Sequence, residues 1–181
     1  DVSGSMNGTP MEVAIALGIL GMNNRRLITF HSDPSIHTVE GESLRDQVAN
    51  IKRMEWGMNT DFVKLFNLIL RLEDTTITKI FIISDMQFDE AIQNGDATHF
   101  QALKQIFKNK GLEMPTIVFW NLRGDTKDFP VRSNEQGVVM LSGYSPSLLT
   151  ALLDGEEITP LGIMLKMIRA PRYDAITLVS A

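Results

Sequence analysis

The sequence predicts an α/β domain, a mostly parallel sheet with helices on both of its faces. Lys79-Ile80-Phe81-Ile82-Ile83-Ser84 and Pro115 to Trp120 are unbroken apolar runs of strand length, the pattern of strands buried on both sides. Around them lie stretches with apolar residues at helical 3–4 spacing, and strands alternating with such helices build parallel sheets. Composition agrees with one globular domain spanning residues 1–181. The chain is 44% hydrophobic and 22% charged, and its mean hydropathy is zero. That balance buries a full core and excludes disordered, collagenous and coiled-coil chains.

In chain order, Thr9-Pro10-Met11-Glu12 starts the first helix, with Thr9 as cap, Pro10 at the first helical position and Glu12 closing a capping box. The run to Met22 is rich in Ala, Leu and Ile and is expected to be buried on more than one side. Arg26 to Phe30 reads as a strand, His31-Ser32-Asp33-Pro34 as a turn, and Ile36 to Val39 as the hairpin partner. Ser43 opens a second helix, with Asp46 three residues on and Leu44, Val48 and Ile51 on its apolar face. Asp61 to Leu72 is a third helix, with Phe62, Leu65, Phe66 and Ile69 on one side. Beyond the 79–84 strand come a polar loop, a helix from Thr98 to Asn109, and the Pro115 to Trp120 strand. A loop from Asn121 to Gly137 leads to a strand from Val138 to Leu141. Short helices at Pro146 to Leu153 and Pro160 to Ile168 precede a closing strand, Ile176 to Val179. There is no repeat, low-complexity stretch or linker.

Several functions are excluded at this level. Seventeen Lys and Arg against 22 Asp and Glu give a net charge of −5, the wrong sign for a module that neutralises duplex phosphates. No apolar run approaches the roughly 20 residues of a membrane span. With no cysteine, disulfides, thiolate metal sites and Cys nucleophiles are ruled out. Three scattered histidines do not make a zinc cluster. No P-loop or nucleophile-elbow pattern occurs. An aspartyl phosphotransferase loop would need an acid two residues after Asp1, where Ser3 stands. A metal-dependent phosphohydrolase is thus the weakest alternative, and the chain is not expected to be an enzyme. Absence of cysteine and of a targeting segment points inside the cell, to the cytoplasm.

In doubly wound sheets, ligands bind at the carboxyl ends of strands. Polar residues stand there in three groups: Asp1-Val2-Ser3-Gly4-Ser5, Asn59-Thr60-Asp61 and Ser84-Asp85. In an extended stretch Asp1, Ser3 and Ser5 face one way, and Gly4 lets the backbone turn between the serines. Two serine hydroxyls, Thr60 and the carboxylates of Asp1 and Asp85 form an all-oxygen set. Such a set suits a hard divalent cation that keeps some of its water, Mg²⁺ or Mn²⁺ rather than zinc. Each residue alone also suits plain structural work, as turn residue, helix cap or strand end.

The D-x-S-x-S run at Asp1, Ser3 and Ser5, followed by Thr60 and Asp85, resembles the metal-ion-dependent adhesion site of von Willebrand factor A domains. That resemblance implies a Rossmann-like fold in which the serines and the threonine touch the metal, the aspartates act through water, and an acidic side chain of a protein partner completes the shell. The stretches DVSGSMNGTPMEVAIALG, RMEWGMNTDF, FIISDMQFDEA, TIVFWNLRG and GVVMLSGYSPSLLTALL look like the C-terminal A-like domain of a plant and fungal family of unknown function. Its layout, a helical module followed by the A-like domain, is similar to that of Ro/TROVE ribonucleoproteins. A helical domain of the same full-length protein is therefore one implied partner, and RNA is implied only by analogy. An A domain carries a central apolar strand just before the position of Asp1, so the expectation is an N-terminally truncated domain without that strand. The α-amino group of Asp1, with an ordinary pKa of about 7.7–8.0, would then set a positive charge beside the cation.

Other candidates are secondary. Asp61 suits either the orientation of metal-bound water or the acidic first turn of a helix. Asp33 reads as turn chemistry, Asp89 and Glu90 as a solvated loop, and Asn7-Gly8 as a turn beside the site. His31, His37 and His99 share no ligand spacing. The methionines read as core filling, with Met6, Met58 and Met86 as candidates to line a groove. Trp56 and Trp120 read as packed side chains. The expected function is an interaction module gripping an acidic partner through the cation, and the alternative is a metal-stabilised scaffold in a ribonucleoprotein-like protein.

Overall fold

A computed structural model describes residues 1–29, 33–54, 62–72, 76–86, 96–123, 136–144, 149, 160–169 and 171–174. The chain divides into two compact units, Asp1–Tyr144 and Ser145–Ala181. Helices and strands are mixed along the first unit, so the fold is α/β.

Among the described residues, the first unit holds a three-stranded sheet and a two-stranded one. In the larger sheet β3 (Lys79–Ser84) pairs in parallel with β4 (Thr116–Asn121), and β4 with β5 (Val138–Ser142). The helix α4 (Asp96–Asn109) lies between β3 and β4 in the chain, as a parallel crossover requires. It starts two residues before the expected Thr98. The smaller sheet is the hairpin of β1 (Arg26–Thr29) and β2 (Ser35–Thr38), with Arg26 opposite Thr38 and Thr29 opposite Ser35. Strand β2 starts one residue before the expected Ile36 and ends one before Val39. Phe30, His31 and Ser32 fall outside the described residues, as do the helix expected at Pro146 to Leu153, apart from buried Leu149, and the strand at Ile176 to Val179.

Register explains the core. Ile80 stands opposite Ile117 and Ile82 opposite Phe119, while Val138 and Met140 continue the same rows on β5. This face meets Leu65, Phe66, Ile69 and Leu70 of α3 (Phe62–Leu72) and Phe100, Leu103 and Phe107 of α4 in one apolar cluster. Fully burying one such side chain contributes about 2 kcal/mol. Val118 and Trp120 point to the other face and are equally buried, so β4 is the strand covered on both sides. Trp120 donates its indole N–H to the Gly143 carbonyl at 2.7 Å, as a packed tryptophan must when its polar atom is buried. In β3 only Ile82 and Ser84 are fully buried, which corrects the expectation of a strand buried throughout.

Helix starts follow local chemistry. At α1 (Thr9–Gly21) the cap is Gly8, with φ of 86°, and not Thr9, which is already helical. Glycine takes that left-handed conformation without a Cβ penalty, so the helix begins a residue earlier than a threonine cap would allow. Helix α2 (Leu44–Ile51) has the expected capping box: Asp46 N–H donates to Ser43 Oγ, and Ser43 N–H returns to the Asp46 carboxylate. Ile51 is buried, whereas Leu44 is 65% exposed and not on the packed face as expected. His37 Nε2 lies 2.7 Å from Thr29 Oγ1 and 2.9 Å from Ser35 Oγ, a cross-strand polar group within the hairpin.

In the second unit α5 (Pro160–Ile168) starts and ends where the sequence places it. A short 3-10 turn, Pro171–Tyr173, follows. Among the described residues no helix is long and apolar enough to cross a membrane.

Candidate metal centre

Asp1 lies beside the carboxyl end of β3. Its amino nitrogen donates to the Ile83 carbonyl at 3.1 Å, tying the chain start to the strand 82 residues away. Burial lowers that amino group from 8.0 to about 5, against the opposing pull of the Asp85 carboxylate. The same opposing pull marks Asp85 as a close electrostatic neighbour of Asp1.

Both oxygens of the Asp1 carboxylate are held. Oδ1 accepts from Ser3 N–H at 2.9 Å, and Oδ2 accepts from the Ser84 hydroxyl at 2.5 Å. Ser84 Oγ in turn accepts from Met86 N–H at 3.0 Å, and Ser84 is fully buried. The carboxylate orientation is thus fixed by one neighbour in sequence and one across the fold.

Ser3 is buried and extended, and after it the chain tightens into a 3-10 turn, Gly4–Met6. This differs from the extended alternation expected for Asp1, Ser3 and Ser5. The turn still brings the two hydroxyls together, with Ser3 Oγ and Ser5 Oγ 3.0 Å apart. A hydroxyl that makes one such bond keeps acceptor capacity. Nothing in the turn demands glycine at the exposed Gly4, since its φ lies outside the left-handed region and a Cβ there would touch nothing within 4 Å.

Asp85 follows β3 directly and is wholly buried, with Oδ2 at 3.8 Å from Nη1 of Arg123. Arg123 stands just beyond β4, the neighbouring strand. Thr60 and Asp61 lie outside the described residues, as do Met58, Trp56, Asp89 and Glu90. Met6 and Met86 are buried at 0% and 2% exposure, so they fill core and do not line an open groove. Met86 holds a left-handed backbone, φ of 61°, which turns the chain sharply after Asp85.

The structure therefore gathers Asp1, Ser3 and Ser5, and sets Asp85 next to the serine that holds Asp1. Every donor is a hard oxygen, which fits Mg²⁺ or Mn²⁺ and does not fit a soft metal. Among the described residues no three His, Cys, Asp or Glu side chains gather as a metal-binding group. The cation would depend on hydroxyl ligands beside the two carboxylates.

Residues 1–165 match the family described as Domain of unknown function (DUF7788). The chain belongs to that family. A relative of this DUF7788 chain, an uncharacterized protein of Acanthamoeba polyphaga mimivirus, is 37% identical over 182 residues, covering 93% of this chain. The aligned part is 32% of the viral protein, so the chain spans about a third of that relative's length. No solved structure is significantly similar to it.

Sequence reasoning assigned no role to Ser84 as the holder of Asp1, nor any to Arg123. Both had one signal in common with Asp85, a polar residue at the carboxyl end of an apolar strand. Which strand ends meet depends on the β3–β4 register, where Ser84 faces Asn121, and no local pattern carries that.

Proposed function

We propose that this DUF7788 chain is a divalent-metal-dependent protein-interaction module on a Rossmann-like, von Willebrand A-like fold. Asp1, Ser3, Ser5 and Asp85, together with Thr60, hold Mg²⁺ or Mn²⁺, and an acidic side chain of a protein partner takes the remaining position. The observation that carries this is the Asp1 carboxylate, fixed by Ser3 N–H and Ser84 Oγ beside two hydroxyls 3.0 Å apart. When bound, the cation supplies an electrophilic centre for a carboxylate, because few of its ligands are themselves charged. The chain's own residues orient the carboxylates and hydroxyls and bury the innermost charge. No P-loop or nucleophile-elbow pattern accompanies them in the sequence, so we read the chain as a binding module and not as an enzyme.

The test is calorimetric titration of Mg²⁺ and Mn²⁺ into the chelator-stripped chain and into a Ser3→Ala, Ser5→Ala variant. One site in the parent, lost in the variant, is expected. Absence of heat in the parent would remove the metal and with it the proposal.

A second reading, a metal-stabilised scaffold holding a helical domain of a ribonucleoprotein-like protein, is favoured by the viral relative, in which the aligned part is 32% of the length. RNA enters there only by analogy of layout. Asp85→Asn separates the two: lost partner binding at an unchanged Tm supports the adhesion module, and a fall in both supports the scaffold. Phosphoester turnover that tracks Mg²⁺ would favour a phosphohydrolase over either.

A further inference from the structure

Tyr144 inverts the ordinary arrangement of a surface tyrosine. Such a side chain usually packs its ring and leaves its hydroxyl in water. Here the hydroxyl donates to the Leu122 carbonyl at 2.7 Å, while the residue stays 48% exposed. The polar tip, which water would satisfy, is bonded to backbone, so the ring carries much of the exposed surface.

The segment bearing the ring is fixed as well. Gly143 N–H donates to the Asn121 carbonyl at 3.0 Å, and the Gly143 carbonyl accepts from the Trp120 indole at 2.7 Å. Gly143 holds φ of +106°, a conformation that favours glycine, and Tyr144 turns back toward β4 from it. Main chain and side chain are thus both anchored to residues 120–122. An aromatic held in this way loses little freedom when a partner packs on it.

The ring stands at the same end of the sheet as the oxygen cluster. Ser84, Asn121 and Ser142 close β3, β4 and β5 and lie opposite one another in register. Leu122 N–H donates to the Ser84 carbonyl at 2.9 Å, and Ser84 Oγ holds Asp1. Residues joined by hydrogen bonds therefore lead from the phenol through Leu122 and Ser84 to the Asp1 carboxylate. Strands β3 and β5 lie two strand spacings apart, about 10 Å, a distance an extended peptide covers in about three residues.

We propose that Tyr144 is a specificity-determining residue beside the metal: its ring receives an apolar side chain that the acidic partner carries about three residues from the carboxylate at the cation. This rests on the metal-dependent binding proposed above and names a second feature of the partner that the site reads. A cation selects for charge, which many acidic surface segments offer. The ring discriminates among them.

The probes are labelled Gly-Ser peptides carrying one Glu and one Leu, two, three or four residues apart, and the same peptides with Ala in place of Leu. Anisotropy follows their binding at saturating Mg²⁺ and in EDTA. The parent chain is compared with Tyr144→Ala and with Tyr144→Gln, whose amide can still reach the Leu122 carbonyl if the alanine variant does not fold. Circular dichroism checks folding, and calorimetry checks Mg²⁺ binding. In the parent, at least one Leu peptide is expected to bind about tenfold more tightly than its Ala counterpart, and only with Mg²⁺. The variants are expected to keep the parent's Mg²⁺ affinity and lose the preference for Leu. Three results overturn the role of Tyr144 and leave the metal site standing: no peptide bound by the Mg²⁺-loaded parent, equal affinity for Leu and Ala peptides, or a preference kept by the folded variants. A preference that persists in EDTA overturns the pairing of ring and cation. No Mg²⁺ heat in the parent overturns the metal site and this proposal with it.

Discussion

Replacing Ser84 by alanine tests whether the candidate centre is built as described. The hydroxyl serves two groups at once, donating to Asp1 Oδ2 and accepting from Met86 N–H, in a position with no exposed surface. Its loss removes a hydrogen bond to a charged group, about 1.5–3 kcal/mol, and strands a buried N–H, a further 1–3 kcal/mol or so. The volume change is one oxygen atom, so a cavity adds little. Ser84→Ala should therefore cost about 3 kcal/mol, near 10 °C in Tm for a domain of this size. Urea unfolding followed by circular dichroism measures this, with an unchanged m-value showing that the folded state stays compact. In the same variant the Asp1 carboxylate loses its distal anchor, and Mg²⁺ affinity should fall by about tenfold or more. A loss below about 1 kcal/mol with intact metal binding would refute the reasoning, since Asp1 and Met86 would then be held without Ser84.

Three further outcomes follow from the fold. Ser43→Ala should lower Tm by an amount typical of a lost N-cap. The Ser43 hydrogen bonds hold the Asp46 carboxyl below its ordinary 3.8, so their contribution is complete above that value and disappears as pH falls through the lower folded one; NMR titration of Asp46 should show its pKa rising in the variant. At Gly41, φ is +116° and an added Cβ would sit 2.5 Å from Asp46 Cβ and 2.9 Å from backbone atoms of α2. Gly41→Ala should thus destabilise by about 3 kcal/mol, whereas Gly18→Ala, open to 4 Å in α1, should stabilise by about 0.5–1 kcal/mol. Ile51→Ala in α2 should cost about 2–4 kcal/mol and exposed Leu44→Ala less than about 0.5 kcal/mol, in chemical denaturation of each.

Much of this architecture is legible in the amino-acid sequence. The apolar runs at β3 and β4, the Ser43 capping box and the Pro160 start of α5 follow from residue chemistry acting over a few positions. The misses have equally specific causes. Gly8 displaced Thr9 as a cap because a left-handed backbone is available to glycine at little cost, and threonine offered nothing it could not do one residue later. Leu44 read as core because it fits the helical spacing, but it opens its helix at the exposed end. Asp1, Ser3 and Ser5 were legible as a group by type, while their meeting depends on a 3-10 turn in place of an extended run. Ser84 and Arg123 acquire their roles from strand register and not from neighbours in sequence, so nothing local announced them.

The bonds from Asp1 to Ile83 and Ser84 bridge 82 and 83 residues of chain. Such a closure carries a large loop-entropy cost, repaid only once the intervening strands and helices have packed. The oxygen cluster is therefore among the last parts of the first unit to form during folding and among the first to open. Any ligand that needs the cluster intact binds only the finished state and draws the population toward it by mass action. A cation at this position would then double as a signal that Asp1 has closed onto the end of β3, withheld from every intermediate in which the two have not yet met.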